Sequence, residues 1–278
     1  MPFPPELRDL VIDCLRTDTV ALRACSLTSK AWLPRSRHHL FRRVQVHPGH
    51  LGDAFKVLLQ DCPEIGKYIR EMDISGVGDE TVVPEAFPGR WPTLAHITAP
   101  AARKDRVHRA DIWLANILPP SPNTLSRVTS LRLFSLPITP HLASLLGTHF
   151  GNVTIVNLDS CRSETFGDLL SLPRALVKVE SLRMDGVKWF RPLYHRPEGN
   201  TVTRPCSLKS LILTGKIDAT TVIEWLVEQR RYESLFLLSC YLSSDASAIA
   251  VQKLLEAVGP ALHELAVGFS EVNDPTGA

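Results

Sequence analysis

Apolar and polar positions follow a short rule over most of the chain: apolar-x-x-apolar-x-apolar. It holds in IREMDI (69–74), LAHITA (94–99), VTSLRL (128–133), VTIVNL (153–158), VESLRM (179–184), LKSLIL (208–213), YESLFL (232–237) and LHELAV (262–267), with LAHITA the weakest copy. Alternating apolar residues at the end of each copy describe an extended segment with one side in a core, so each copy predicts a strand. Between copies, apolar residues take helical spacing over 139–150, 163–179 (interrupted at Pro173), 219–231 and 245–262, with Thr139, Ser163 and Asp245 as N-caps. One strand with one short helix cannot bury its own apolar face. Units of this kind must stack, which predicts an α/β fold with a parallel sheet on one side and helices on the other.

The first fifty residues are patterned differently. Leu7, Leu10, Val11 and Leu15 fall at helical spacing after Pro4 and Pro5. A second helix is predicted from about Thr19, with Leu22, Cys25 and Leu27 inward and an end before Pro34. A third covers roughly 36–43, with Leu40 and Phe41 as its apolar side. Residues 51–70 predict a helix, a Cys-Pro break and a short helical turn that runs into the first strand, without a Gly/Ser linker. The organisation expected is a helical unit over 1–48, a helical join over 49–70 and the repeating unit over 71–278.

In order, FPPELRDLVIDCL, CSLTSKAWL and HHLFRRV resemble the F-box, the docking motif of SCF-type ubiquitin ligases. Phe3 stands where Leu is usual, Thr28 replaces a β-branched apolar residue, and Phe41 replaces the closing Trp. The later pattern, at its spacing of 24 to 34 residues, resembles leucine-rich repeats (L-x-x-L-x-L-x-x-N or C), and VTIVNLDSC and YESLFLLSC complete it on Cys161 and Cys240. The two resemblances together imply a substrate-recognition subunit: an F-box, then a leucine-rich-repeat solenoid with strands on its concave face and helices outside. Phe3, Pro4, Leu7, Val11, Leu15, Leu22, Trp32, Leu40 and Phe41 would meet a Skp-type adaptor, and through it a cullin. Strand residues alternating with the core positions would meet a target protein: Arg132, Phe134, Asn157, Asp159, Arg183, Asp185, Ile212, Phe236 and Leu238. A cover of Phe236 and Leu238 by a loop of the same chain is the competing reading. The alternative function is a scaffold whose F-box-like helices only cap the repeats.

Composition narrows the chemistry. The chain has 278 residues, 44% of them apolar, and a formal net charge of +2, which is no footprint for nucleic-acid or membrane binding by the protein as a whole. The basic character is local, since no Asp or Glu occurs between Thr19 and Gly52. Arg37, Arg42 and Arg43 read as a solvated face, because stacking aromatics are not interleaved with them. His38 and His39 point about 100° apart on a helix, a poor pair for one metal. Six cysteines without a C-x-x-C pair exclude a zinc ribbon or dithiol motif, and Cys161 and Cys240 read as buried turn residues. The uncharged run 133–158 is broken by Pro137, Pro140 and several polar residues, so no span is expected. MPFPPELRDL has no apolar core for a secretory leader. The expected location is cytoplasm, nucleus or both.

Nucleophile-elbow, P-loop and H-E-x-x-H motifs are missing from the sequence, and SGVGDE reads as a turn. His96, His108, His195 and His263 lack acidic or thiol neighbours in register. No cofactor is expected, and the chain is not expected to be an enzyme. Trp189, Phe190 and Tyr194 fall in an insertion (187–205) that either covers the repeats or recognises a partner; EAFPGRWP (85–92) is a second such loop. No capping helix is expected after the last strand in FSEVNDPTGA.

Overall fold

The computed structural model describes residues 4–76, 110–191, 208–228, 233–242 and 244–269. Three helices open it: α1 (Pro5–Cys14), α2 (Thr19–Thr28) and α3 (Leu33–Leu40). Asp18 caps α2, accepting from the amides of Val20 and Ala21 at 3.0 and 2.9 Å. α3 begins three residues earlier than the expected 36, because Pro34 fits its first turn rather than ending the preceding helix. Strand β1 (Arg43–Val46), α4 (His50–Asp61), a 3-10 turn (Pro63–Lys67) and β2 (Glu71–Ser75) follow.

After a helical segment over 110–117, α5, the chain alternates strands and helices. β3 (Ser130–Phe134), β5 (Ile155–Asp159), β7 (Ser181–Asp185), β9 (Ser210–Thr214), β10 (Leu237–Leu242) and β11 (Glu264–Phe269) join β1 and β2 in an eight-stranded sheet. Neighbours follow chain order, and every pair is parallel. β2 pairs directly with β3, and the copy expected at 94–99 lies outside the described residues. A three-stranded parallel sheet lies beyond the strand ends: β4 (Pro137–Ile138), β6 (Arg162–Thr165) and β8 (Lys188–Arg191). The insertion expected at 187–205 therefore opens as a strand, with Trp189 against Phe166 at 5.0 Å between ring centroids. Its remainder, including Tyr194, and the segment 85–92 lie outside the described residues.

Helices α6 (Pro140–His149), α7 (Phe166–Ala175), α8 (Ala219–Glu228) and α9 (Asp245–Val258) share one core with the inward strand residues. Thr139 caps α6 as expected, accepting from the Leu142 amide at 2.9 Å. α7 is capped by Thr165 and not Ser163, in a reciprocal pair with Asp168, because 162–165 is taken up by β6. Pro173 sits inside α7 without ending it. Ser244 caps α9, one residue before the expected Asp245.

Each of four strands is followed by a residue in the left-handed region: Ser135, Ser160, Gly186 and Gly215, with φ of 51, 54, 59 and 71°. This shared turn sends the chain from the large sheet toward the small one. A Cβ at Gly215 would lie 2.7 Å from Asp185 Oδ1 and 2.9 Å from the Gly186 nitrogen, so glycine is needed there for space as well as for φ.

Candidate functional site

Two surfaces stand out. The first is on the opening helices. α3 packs on both α1 and α2. Ile12 is the one buried residue of α1, and Leu22 of α2. Asp13 fixes this orientation: it accepts two hydrogen bonds from Arg35 on α3, both 2.6 Å, and lies 2.7 Å from His39 Nε2. Those hydrogen bonds, from Arg35 first and His39 second, hold the Asp13 carboxyl well below the usual carboxylate range. With the Ile12 side turned inward, the stripe of Leu7, Leu10 and Val11 faces solvent. On α2, Val20 and Leu27 are also exposed, Leu27 at 87%. Both helices thus leave large apolar side chains in solvent, where such groups commonly mark a contact surface.

Of the nine residues expected to meet an adaptor, Pro4, Leu7 and Val11 are exposed, while Leu15, Trp32, Leu40 and Phe41 are half-buried. Phe3 lies outside the described residues. Leu22 is fully buried and cannot touch a partner; it anchors α2 within the helical unit. Phe41 packs on the core of the large sheet, as the first residue of FRRVQV (41–46), which obeys the strand rule. Sequence reasoning passed over that copy because it fell inside the helical unit, and also missed Leu10, Val20 and Leu27 as surface. The Thr28 hydroxyl is exposed and donates to the Ala24 carbonyl at 2.8 Å, so it demands no buried partner.

The second surface is the sheet face opposite the helices. The register aligns its outward residues in rows across the strands. One row is Arg43, Glu71, Ser130, Ile155, Ser181, Ser210, Leu237 and Glu264, and the next is Gln45, Asp73, Arg132, Asn157, Arg183, Ile212, Ser239 and Ala266. The third holds Ser75, Phe134, Asp159, Asp185, Thr214, Tyr241 and Gly268. Charges on the early strands pair with one another: Arg43 donates to Asp73 at 2.7 Å and Arg132 to Asp159 at 2.6 Å. Arg183 has Asp185 only at 4.0 Å. Arg132, Phe134, Asn157, Asp159, Arg183, Asp185 and Ile212 thus lie on this face, as expected.

The last two expected residues do not. YESLFLLSC contains two overlapping copies of the rule, and the chain uses the second, Leu235, Leu238 and Cys240, all buried. Leu238 pairs with Leu211 and Leu265 and points into the core. Phe236 falls just ahead of β10, exposed and edge-on to His263 at 4.7 Å, off the face. The face positions of β10 are Leu237, Ser239 and Tyr241. Cys240 is correspondingly a strand residue, in register with Leu213 and Val267, whereas Cys161 does lie in a turn. Burial pushes the Cys161 thiol up to about 12, and the thiol donates to the Leu133 carbonyl at 3.3 Å.

Among the described residues, no three His, Cys, Asp or Glu side chains are grouped to hold a metal ion. No helix among them is long and apolar enough to cross a membrane. No family model matches the sequence. A stretch of the chain is similar to receptor-type tyrosine-protein phosphatase C of Rattus norvegicus, 35% identical over 99 residues. That match covers 34% of this chain and 8% of the phosphatase, so it assigns neither a family nor an activity to the whole protein.

Proposed function

We propose that this protein is the substrate-recognition subunit of an SCF-type, cullin-RING ubiquitin ligase. The helices α1–α3 act as a divergent F-box that docks a Skp-type adaptor, and the strand-helix units are leucine-rich repeats of a solenoid whose open face receives a target protein. The observation that carries this reading is the exposed apolar stripe Leu7, Leu10 and Val11 on α1, with Val20 and Leu27 exposed on α2, in a helical unit joined without a linker to a parallel sheet. An isolated three-helix unit of this size is poorly stabilised alone and gains most by covering such a stripe. The protein performs no bond chemistry itself. It raises the effective concentration of a target beside ubiquitin activated by other subunits, in the cytoplasm or nucleus. Co-expression with a Skp-type adaptor, followed by size-exclusion chromatography, tests this: co-elution supports it, and separate peaks contradict it.

A second reading has its own observation. Phe41, which closes α3, packs on the sheet core, and β1 forms the sheet's first strand, so the helical unit is anchored at that edge. In a scaffold without ligase function, capping that edge would be its whole purpose, and no adaptor would co-elute.

A further inference from the structure

One backbone position before each strand forms a continuous rim. Arg70 N–H donates to the Arg42 carbonyl at 2.9 Å, Thr129 to Arg70 at 2.9 Å, Thr154 to Thr129 at 2.9 Å and Glu180 to Thr154 at 2.8 Å. Arg42 and Arg70 are therefore neighbours across two strands, a like-charge pairing that costs the sheet stability. Arg127 joins them two residues before Thr129. Burial, and then the charges of Arg127 and Arg42, pull the Arg70 guanidinium below its usual range. Further along, Lys178 donates to Asn152 Oδ1, while Asn152 Nδ2 donates to the Ser126 carbonyl at 2.7 Å, which ties Lys178 to the turn that carries Arg127.

Carboxylates near this rim are already paired, one of them with Arg42. Glu180 pairs with Lys209 at 3.0 Å, Glu71 with Arg42 at 3.6 Å and Glu64 with Arg37 at 3.8 Å. Among the described residues, the Arg70 guanidinium donates to backbone carbonyls, of Lys67 and Ile69. Among the described residues, Arg70, Arg127 and Lys178 have no carboxylate partner within ion-pair distance, and Arg127 and Lys178 are exposed.

We propose that this rim, from β2 to β7, docks an acidic segment of a partner polypeptide. The cations are strung out and do not converge on one point, which fits an extended anionic chain better than a single small anion. Three interstrand steps span about 14 Å, matched by four or five residues of extended peptide at about 3.4 Å each. Thr129 and Thr154 stand between the cations, their hydroxyls turned to the carbonyls of Arg70 and Thr129 at 3.4 and 3.3 Å. No aromatic side chain is interleaved with Arg127, Thr129, Thr154 and Lys178 at the rim positions, which disfavours a single-stranded nucleic acid. The proposal rests on the sheet rim and is independent of adaptor docking by α1–α3.

The test is fluorescence anisotropy on the full chain with a labelled peptide bearing a run of Glu, the same peptide with Gln at every Glu, and a labelled single-stranded oligonucleotide. The Glu peptide is expected to bind about tenfold more tightly than the Gln peptide and to weaken as salt rises. Arg127→Glu with Lys178→Glu is expected to remove that advantage, while Arg174→Glu on α7 leaves it intact. Arg127→Gln with Lys178→Gln, a milder change, is expected to reduce it in the same direction. Equal binding of the two peptides, retention of the advantage in both rim variants, or tighter binding of the oligonucleotide than of the Glu peptide would overturn the proposal.

Discussion

Asp13 and Arg35, twenty-two residues apart, meet through two parallel hydrogen bonds of 2.6 Å. That fork-to-carboxylate contact ties α1 to α3 beside the buried Ile12, with Leu7, Leu10 and Val11 left outside.

Asp13→Ala should therefore loosen α1 from α3. The carboxylate is partly solvated, so the loss is expected to be about 1–2 kcal/mol, read as a lower urea midpoint at neutral pH. The folded state holds the Asp13 carboxyl far below its ordinary value of 3.8. Its contribution is present above that value and fades as pH falls beneath it, since the unfolded chain then binds the proton more readily. The wild type should lose stability in acid more steeply than Asp13→Asn; parallel profiles would contradict this.

His149 works in the same direction in a different pH range. It is buried in α6, and burial pushes its imidazole below the ordinary 6.5. The unfolded chain takes up that proton first, so stability holds above about 6.5 and declines as pH drops below it. His149→Leu should flatten the urea midpoint between pH 7.5 and pH 5 relative to wild type, over the range where the imidazole titrates.

The recurring left-handed turn gives a pair of opposite outcomes. Ser135 adopts a φ of 51° that a side chain disfavours, so Ser135→Gly should stabilise the protein by about 0.5–1 kcal/mol. Gly215→Ala should destabilise it by about 1–3 kcal/mol, because the new Cβ meets Asp185 and the Gly186 backbone. Thermal unfolding of the two variants measures both.

The strands were legible at 128, 153, 179 and 208, where the rule appears once within the repeating region. At 232–240 two copies overlap, and sequence spacing has no means of choosing between them. The core chooses, by accepting Leu235, Leu238 and Cys240 together. The small sheet was illegible for another reason: β6 reads RSET, with no apolar alternation, and is held by strand pairing and by Glu164 against Arg191 at 3.1 Å. The apolar stripe of α1 was visible as a stripe, but its direction was not. The buried side is the one that meets α3, where Asp13 pairs with Arg35, and helical spacing cannot express such a long-range contact. The rim cations were hidden likewise, since Arg70, Arg127 and Lys178 are far apart until the strands align.

The central claim is that the exposed leucines of the helical end are a docking face. Binding of a purified Skp-type adaptor, measured by titration calorimetry against wild type and against Leu10→Glu with Leu27→Glu, tests it most directly. Both residues are exposed, Leu10 at 61%, so the double variant should unfold at the wild-type urea midpoint. The account predicts that wild type binds and that the variant loses at least about tenfold in affinity. A wild type that fails to bind the adaptor, or a folded variant that binds it equally well, would contradict the account.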